Sequence, residues 1–394
     1  MKKILILGGS ILQVPIIKKV KEMNLEAIVA DYDENAEGFK YADKIYIVST
    51  NDQEKIENII LTEKPAAVIT ASTDSPMKII GQIGEKFNLN TISYEAAVKS
   101  TNKYIMRKTL EFHKVPIPKY ILIENENDYI YKLHEIIGNK IIKPIDSSGS
   151  KGIILVDNND VSLDNYYYSK SNSKIGKVLI EEQLVGNEIS VESITINNIT
   201  HIVAITQKIT TGSPHFIEMG HFINANLDKV TEKKVEAITK KAISSLGITQ
   251  GPSHTEIMLT SEGPKIIEVG ARLGGDFISS HLVNIANGID LLELHILQSI
   301  GEDIQPKFNN KSRGAAIKYF TSKKGLLKGV NVPDKITDMK GFKEMKLLKE
   351  VNTHLEDIIS SNSRIGYIIC EGTTGIEAFE SCEKILNTIE IEIE

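Results

Sequence analysis

Cysteine is scarce in this chain. Cys370 and Cys382 are the only two in 394 residues, close together near the end and with no histidine cluster beside them. Such a pair gives neither a disulfide framework nor a zinc site, and it suits a reducing, cytoplasmic setting. Long apolar runs are missing too. The apolar stretch after Met1-Lys2-Lys3 stops at Gly8, too short for a signal-peptide core, and no run of about 20 apolar residues follows, so no membrane partner is expected. Positive charge is not in excess: 46 Lys and Arg face 52 Asp and Glu, for a net charge of −6, which argues against a nucleic-acid partner. Lysine far outnumbers arginine, and with the wealth of Asn and Ile this reads as nucleotide bias rather than function.

Two glycine signatures are also absent. Gly8-Gly9 lacks the G-x-G-x-x-G spacing, so these residues read as a tight strand-to-helix turn rather than a dinucleotide site. No G-x-x-x-x-G-K-[ST] occurs, which excludes a Walker A loop.

What is present is a large, typical globular composition, 41% apolar and 25% charged. The length exceeds one ordinary core, so two to four domains are expected, and no internal repeat stands out. Residues 1–100 alternate strand (4–7, 27–30, 45–48, 67–70) with helix, which predicts a small doubly wound parallel α/β sheet. Residues 101–185 form a second unit: a helix over 103–112, a linker stiffened by Pro116 and Pro118, a strand at 120–123, a helix over 128–137, and strands at 140–143 and 153–156. The polar segment 158–174 reads as an exposed loop or short helix, before a strand at 178–181. Residues 186–310 predict an antiparallel sheet with helices near 229–246 and 276–300. Residues 311–394 predict a terminal α+β lobe closed by a helix over 375–387.

The most informative stretch is 255–272. Two alternating strands flank Ser261-Glu262-Gly263-Pro264, which is turn chemistry. With the turn near Glu262, Glu256 and Glu268 become cross-strand neighbours with Cβ atoms roughly 4.5–5.5 Å apart. Two carboxylates so placed need a cation between them, and oxygen ligands favour a hard ion such as Mg²⁺. Arg272 adds a fixed positive charge beside the pair.

Upstream, Lys143 opens the loop 146–152, where Ser147, Ser148, Gly149 and Gly152 let backbone N–H groups approach an anion. A lysine there suits phosphate as a point charge. A plain mobile surface hairpin is the competing reading. The strand that ends near Glu181 breaks before Glu188; a broken strand frees main-chain groups to read a base edge, and a following carboxylate can accept from ribose hydroxyls.

Taken in order, Lys103, Lys143, loop 146–152, Glu181 to Glu188, Glu256 and Glu268-x-x-x-Arg272 resemble the ATP-grasp ligases across essentially the whole chain. The resemblance implies a two-lobed clamp on ATP with a preceding α/β domain and a C-terminal lobe. It implies that Lys103 and Lys143 contact phosphates under loop 146–152, and that Glu181 and the Leu184 main chain address adenine. It further implies that Glu188 holds ribose and that Glu256 and Glu268 bind Mg²⁺, with Mn²⁺ as an alternative. Gly270 stands where the family usually has Asn, leaving the second metal position open. A narrower likeness, to bacterial L-amino acid ligases that make dipeptides, rests on the segment 215–221 and on Arg272-Leu273-Gly274-Gly275-Asp276. It implies that Glu218, His221, Arg272, Gly275 and Asp276 face amino-acid substrates. The activity so implied joins a carboxylate to an amine through an acyl phosphate, in a cytoplasmic enzyme expected to be a homodimer. A purine-biosynthesis ligase or formate-using transferase, a non-catalytic nucleotide binder and an oxidoreductase are the rivals.

Overall fold

The computed structural model describes residues 1–149, 151–213, 216–306, 313–358 and 360–394. Ser150 of loop 146–152, His215 of the segment 215–221 and the 310/311 boundary lie outside the described residues. Among the described residues no helix is long and apolar enough to cross a membrane.

The N-terminal sheet is parallel, in the order β3(Lys44–Ile47), β2(Glu26–Asp31), β1(Lys3–Leu7), β4(Ala67–Ile69). Ile4 to Leu7 are fully buried because helices or neighbouring domains cover both faces, as a parallel sheet requires. Asp31, at a strand end, accepts from Gly9 N at 2.6 Å and from Asp33 N at 3.0 Å. The Gly8-Gly9 turn is thus tied to its own sheet.

A second, four-stranded sheet runs β5(Tyr120–Ile123), β8(Val178–Glu182), β6(Lys140–Pro144), β7(Ile154–Val156). It has a core of its own, in which Tyr129 and Tyr166 join Ile123, Ile142, Val178 and Ile180. The segment read as an exposed loop or short helix forms the helix Leu163–Ser171, capped by Ser162, with Tyr166 turned into this core. The helix expected over 128–137 runs over Glu126–Lys132 and tightens into one 3₁₀ turn, because Asn125 caps it earlier.

The largest sheet has eight strands. From one edge they are β13(Gly263–Gly270), β12(Gly251–Thr260), β9(Asn187–Ile196), β10(Ile199–Thr210), β11(Glu218–Ile223), β14(Gly314–Phe320), β18(Gly366–Gly372) and β16(Phe342–Leu347). Strands on both sides of residue 310 therefore share one sheet. The last helix, Gly375–Leu386, packs on β14 and β18, beside a small sheet of β17(His354–Leu355), β15(Gly325–Asn331) and β19(Glu390–Ile393). The helix expected over 276–300 is interrupted: a π turn at Ile278–Leu282 leads into Val283–Asn287, and Gly288 ends that piece before Leu291–Ser299. Apolar residues of the N-terminal sheet and of the large sheet lie in common clusters on both faces of β1, so these two parts are packed as one body.

Candidate active site

The hairpin β12–β13 pairs Glu256 directly with Glu268, and a bulge follows at Ile257. Both side chains reach a cleft of ≈ 390 Å³ between the four-stranded and eight-stranded sheets, a size that holds small-molecule ligands. Asn102 caps the helix Lys103–Phe112, and Lys103 N donates to Ile145 O at 2.8 Å. This fastening aims Lys103 Nζ at Ser147 O (2.7 Å) and at Glu268 Oε1 (3.0 Å).

Lys143, Ser147, Ser148, Gly149, Glu181, Leu184, Glu188, Glu218, His221, Arg272, Gly275 and Asp276 line the same cleft. Gly152, expected at the same site, does not line it. With φ +76, it lies where a Cβ would stand 2.6 Å from Asn172 and 2.8 Å from Pro144, so it turns the loop back onto its lobe.

Charge in the cleft is paired with almost no remainder. At the base of the four-stranded lobe, Glu181 takes Arg107 Nε at 2.7 Å and Lys143 Nζ at 2.7 Å. Burial pushes the Glu181 carboxyl up, but the two cations outweigh it and hold the group below the ordinary range. Burial wins at Lys143, whose ammonium titrates lower than usual despite Glu181. The carboxylate expected at adenine is thus occupied by ion pairs. The ladder bonds close with Gln183 N donating to Asn139 O at 3.0 Å, and Leu184 follows into the cleft.

At the centre stands Lys208, from β10, which the sequence reading passed over. Its Nζ lies 2.6 Å from Glu188, 2.9 Å from Glu218 and 3.1 Å from Glu256. Burial disfavours the ammonium, yet the three carboxylates together raise its pKa well above the usual lysine value. Glu188 is pushed up by burial and by its acidic neighbours. Glu256 is held well below the usual range because Lys208 and His254 outweigh its burial. His254 reaches Glu192 with Nδ1 at 2.5 Å and Glu256 with Nε2 at 3.6 Å. Burial alone would lower it, but Glu192 raises its pKa to about 9, so it is a cation at neutral pH.

At the far end, His221 Nε2 is 3.1 Å from Asp276, and Arg364 grips both oxygens of Asp276 at 2.9 Å while also donating to Glu218 O. Burial opposes ionisation of Asp276, and Arg364 and His221 overcome it. Arg272 is forked onto Asp74 of the N-terminal domain at 3.0 Å for each bond.

Lys208, Glu192, Arg107, Asp74 and Arg364 were not found from the sequence, and His254, which in its Ser-His-Thr-Glu run reads equally as a packed strand histidine, stayed outside the expected catalytic set. One signal was there to use. The chain has four arginines, and Arg107, Arg272 and Arg364 are three of them, each buried or half-buried against a carboxylate at this cleft. Where lysine is the general-purpose cation, arginine persists where planar, two-pronged binding is needed.

Residues 137–280 match the ATP-grasp domain, and residues 318–394 match the L-amino acid ligase C-terminal domain 2. The chain is 24% identical over 338 residues to the L-arginine-specific L-amino acid ligase of Bacillus subtilis, covering 82% of this chain and 80% of that protein. It is 23% identical over 403 residues to the formate-dependent phosphoribosylglycinamide formyltransferase of Psychromonas ingrahamii, covering 99% and 96%. Its fold superposes on the crystal structure of an L-amino acid ligase from Bacillus licheniformis with a TM-score of 0.86 at 18% identity, over 100% and 99% of the two chains. Residues 137–280 thus carry an ATP-grasp domain, and the fold of the whole chain is the one shared by the ATP-grasp ligases, as the sequence reading expected. Its last strands and helix are those of the L-amino acid ligase C-terminal domain.

Proposed function

We propose that this enzyme joins the carboxylate of one amino acid to the amine of another, with release of ADP and phosphate. The observation that carries the reading is the hairpin pair Glu256 and Glu268, with Lys208 and Lys103 respectively at hand, in the cleft that also holds Glu218, His221 and Asp276. Two facing carboxylates with ammonium groups already drawn to them fit a divalent cation, so Glu256 and Glu268 would hold Mg²⁺, or Mn²⁺ in its place. When bound, that ion supplies positive charge to the phosphate oxygens.

The remaining work falls to the chain. Lys103 and Lys143 bind phosphate oxygens under the loop around Ser147, Ser148 and Gly149; Gly152 turns that loop. Leu184 offers main-chain groups to adenine, while the Glu181 carboxylate orients Lys143. Glu188 accepts from ribose. One substrate carboxylate attacks the γ-phosphorus as the bond to ADP breaks. The amine nitrogen then attacks the acyl carbon, the C–O bond to phosphate breaks, and the nitrogen sheds a proton to water or phosphate. Glu218 holds an α-ammonium, His221 and Asp276 orient the substrate, and Arg272 with backbone N–H near Gly275 faces the developing oxyanion. Closure of the four-stranded lobe, which has its own core, keeps water from the acyl phosphate. A homodimer in the cytoplasm fits ATP supply and two buried, unpaired cysteines.

The test is a matrix of amino-acid pairs scored for phosphate release, with masses of the products. Stimulation by glycinamide ribonucleotide alone would favour the purine reading, which the match to the formyltransferase keeps in play. Against that reading, Gly9 N is already spent on Asp31, leaving the N-terminal turn short of a phosphate donor.

A further inference from the structure

The loop after β4 is stitched to the segment that follows the hairpin. Ser72 N donates to Leu273 O at 3.2 Å, and Ser72 Oγ donates to Gly274 O at 3.3 Å. Asp74 then takes Arg272 in a two-pronged fork, Nε to Oδ1 and Nη2 to Oδ2, both at 3.0 Å. Ser72 has φ +59, a left-handed backbone that a non-glycine residue adopts only when its surroundings hold it there. The fork passes over the bare backbone of Gly270: a Cβ at that position would stand 3.2 Å from both Arg272 Cζ and Asp74 Oδ1.

Arg272 also feels Glu268 and Glu256. Those two carboxylates are the proposed metal ligands, and a free guanidinium on a flexible stem would swing onto them, since a fork with any carboxylate is favourable. Asp74 meets that demand first, and Gly270 leaves the room for it to do so.

We infer that Asp74 is the positioning residue for Arg272, and that with Gly270 it keeps the guanidinium from adding to the cations already at Glu256 and Glu268, so that a divalent cation has only Lys103, Lys208 and His254 to compete with there. The inference rests on the ligase reading of the cleft. It assigns to the N-terminal domain a part in preparing the metal position across the domain boundary.

The measurement is direct Mn²⁺ binding to the full-length protein saturated with ADP, followed by the electron paramagnetic resonance of free Mn²⁺, so no turnover is needed. Asp74→Asn should weaken Mn²⁺ binding about tenfold, the loss of one good contact's worth of affinity. Gly270→Val, which crowds the fork, should do the same. Combined, the two should weaken binding no more than either alone, because they open one and the same fork. Asp74→Glu should restore most of the affinity, and thermal unfolding of each variant identifies any that fails to fold. Asp74→Asn/Arg272→Met, with the competing guanidinium gone, should bind Mn²⁺ as wild type does. Binding within twofold of wild type in both single variants, or effects that multiply in the double variant, overturns the inference. Mn²⁺ results as expected with no amino-acid pair releasing phosphate would leave the positioning intact and sink the ligase reading alone.

Discussion

Glu256 and Glu268 face each other in register across the hairpin, yet each is held by a different lysine: Glu256 by Lys208 at 3.1 Å and Glu268 by Lys103 at 3.0 Å. Those lysines come from strands and helices far apart in the chain, so the pair is a meeting point of both lobes.

Glu268→Gln should lower ADP formation at least about a hundredfold, since several kcal/mol of phosphate-charge stabilisation would go. The side chain is 26% exposed, and a neutral isostere in that setting should leave the midpoint of thermal unfolding nearly unmoved. Turnover within about tenfold of wild type, a loss of under 1.4 kcal/mol, would remove Glu268 from the metal position.

Lys208→Met leaves Glu188, Glu218 and Glu256 crowded together without their shared cation. Breaking a buried ion pair on one side costs about 3–5 kcal/mol, which urea unfolding at neutral pH should show. The variant should recover stability at pH 5, because protonating the stranded carboxylates relieves their repulsion. A cost below about 1 kcal/mol, the worth of an exposed pair, would mean that Lys208 is solvated.

His254 makes stability depend on pH in a stated direction. Burial pulls its folded pKa down, but the Glu192 carboxylate outweighs that and raises it to about 9, above the ordinary histidine value of 6.5. The charged form is therefore favoured in the folded protein. Its contribution, about 3 kcal/mol from the pKa difference, is complete below pH 6.5 and fades as pH rises through 9. Chemical denaturation of wild type and His254→Gln across that window should show the wild-type advantage narrowing with rising pH. A constant gap would contradict the assignment.

Gly186→Ala tests the joint between the lobes. A Cβ at Gly186 would lie 2.0 Å from Leu259 O in the hairpin, a contact that neither backbone can absorb without shifting. Destabilisation of about 1–3 kcal/mol is expected from such overpacking, together with a weaker apparent affinity for ATP as the clamp is displaced. Equilibrium unfolding and nucleotide titration check the two effects separately.

Local sequence carried some of this and not the rest. The hairpin was legible because strand alternation and a four-residue turn fix register within one short segment, and Glu256 does pair with Glu268. Loop 146–152 and the broken strand at 183–186 were legible for the same reason. The partners that neutralise the site were not, since Arg272 and Asp74 lie 198 residues apart, Arg364 and Asp276 88, and His254 and Glu192 62. Pairs at such separations leave no periodicity behind. His254 sits between Ser253 and Thr255, ordinary strand residues, and only Glu192 on the neighbouring strand turns it into a cation. The interrupted segment after Asp276 was also invisible, because its apolar spacing suits one helix and only the fold imposes a π turn.

The eight-stranded sheet has a practical corollary for anyone dividing this enzyme. A version ending near residue 306 would strip β14, β18 and β16 away and turn β11, with Glu218 and His221, into a raw border of unpaired amides and carbonyls. Such a fragment should clump by recruiting other strands rather than behave as a smaller catalyst. The residues proposed to meet the substrates are thus shielded from solvent-exposed strand pairing by the very segment that follows them in the chain.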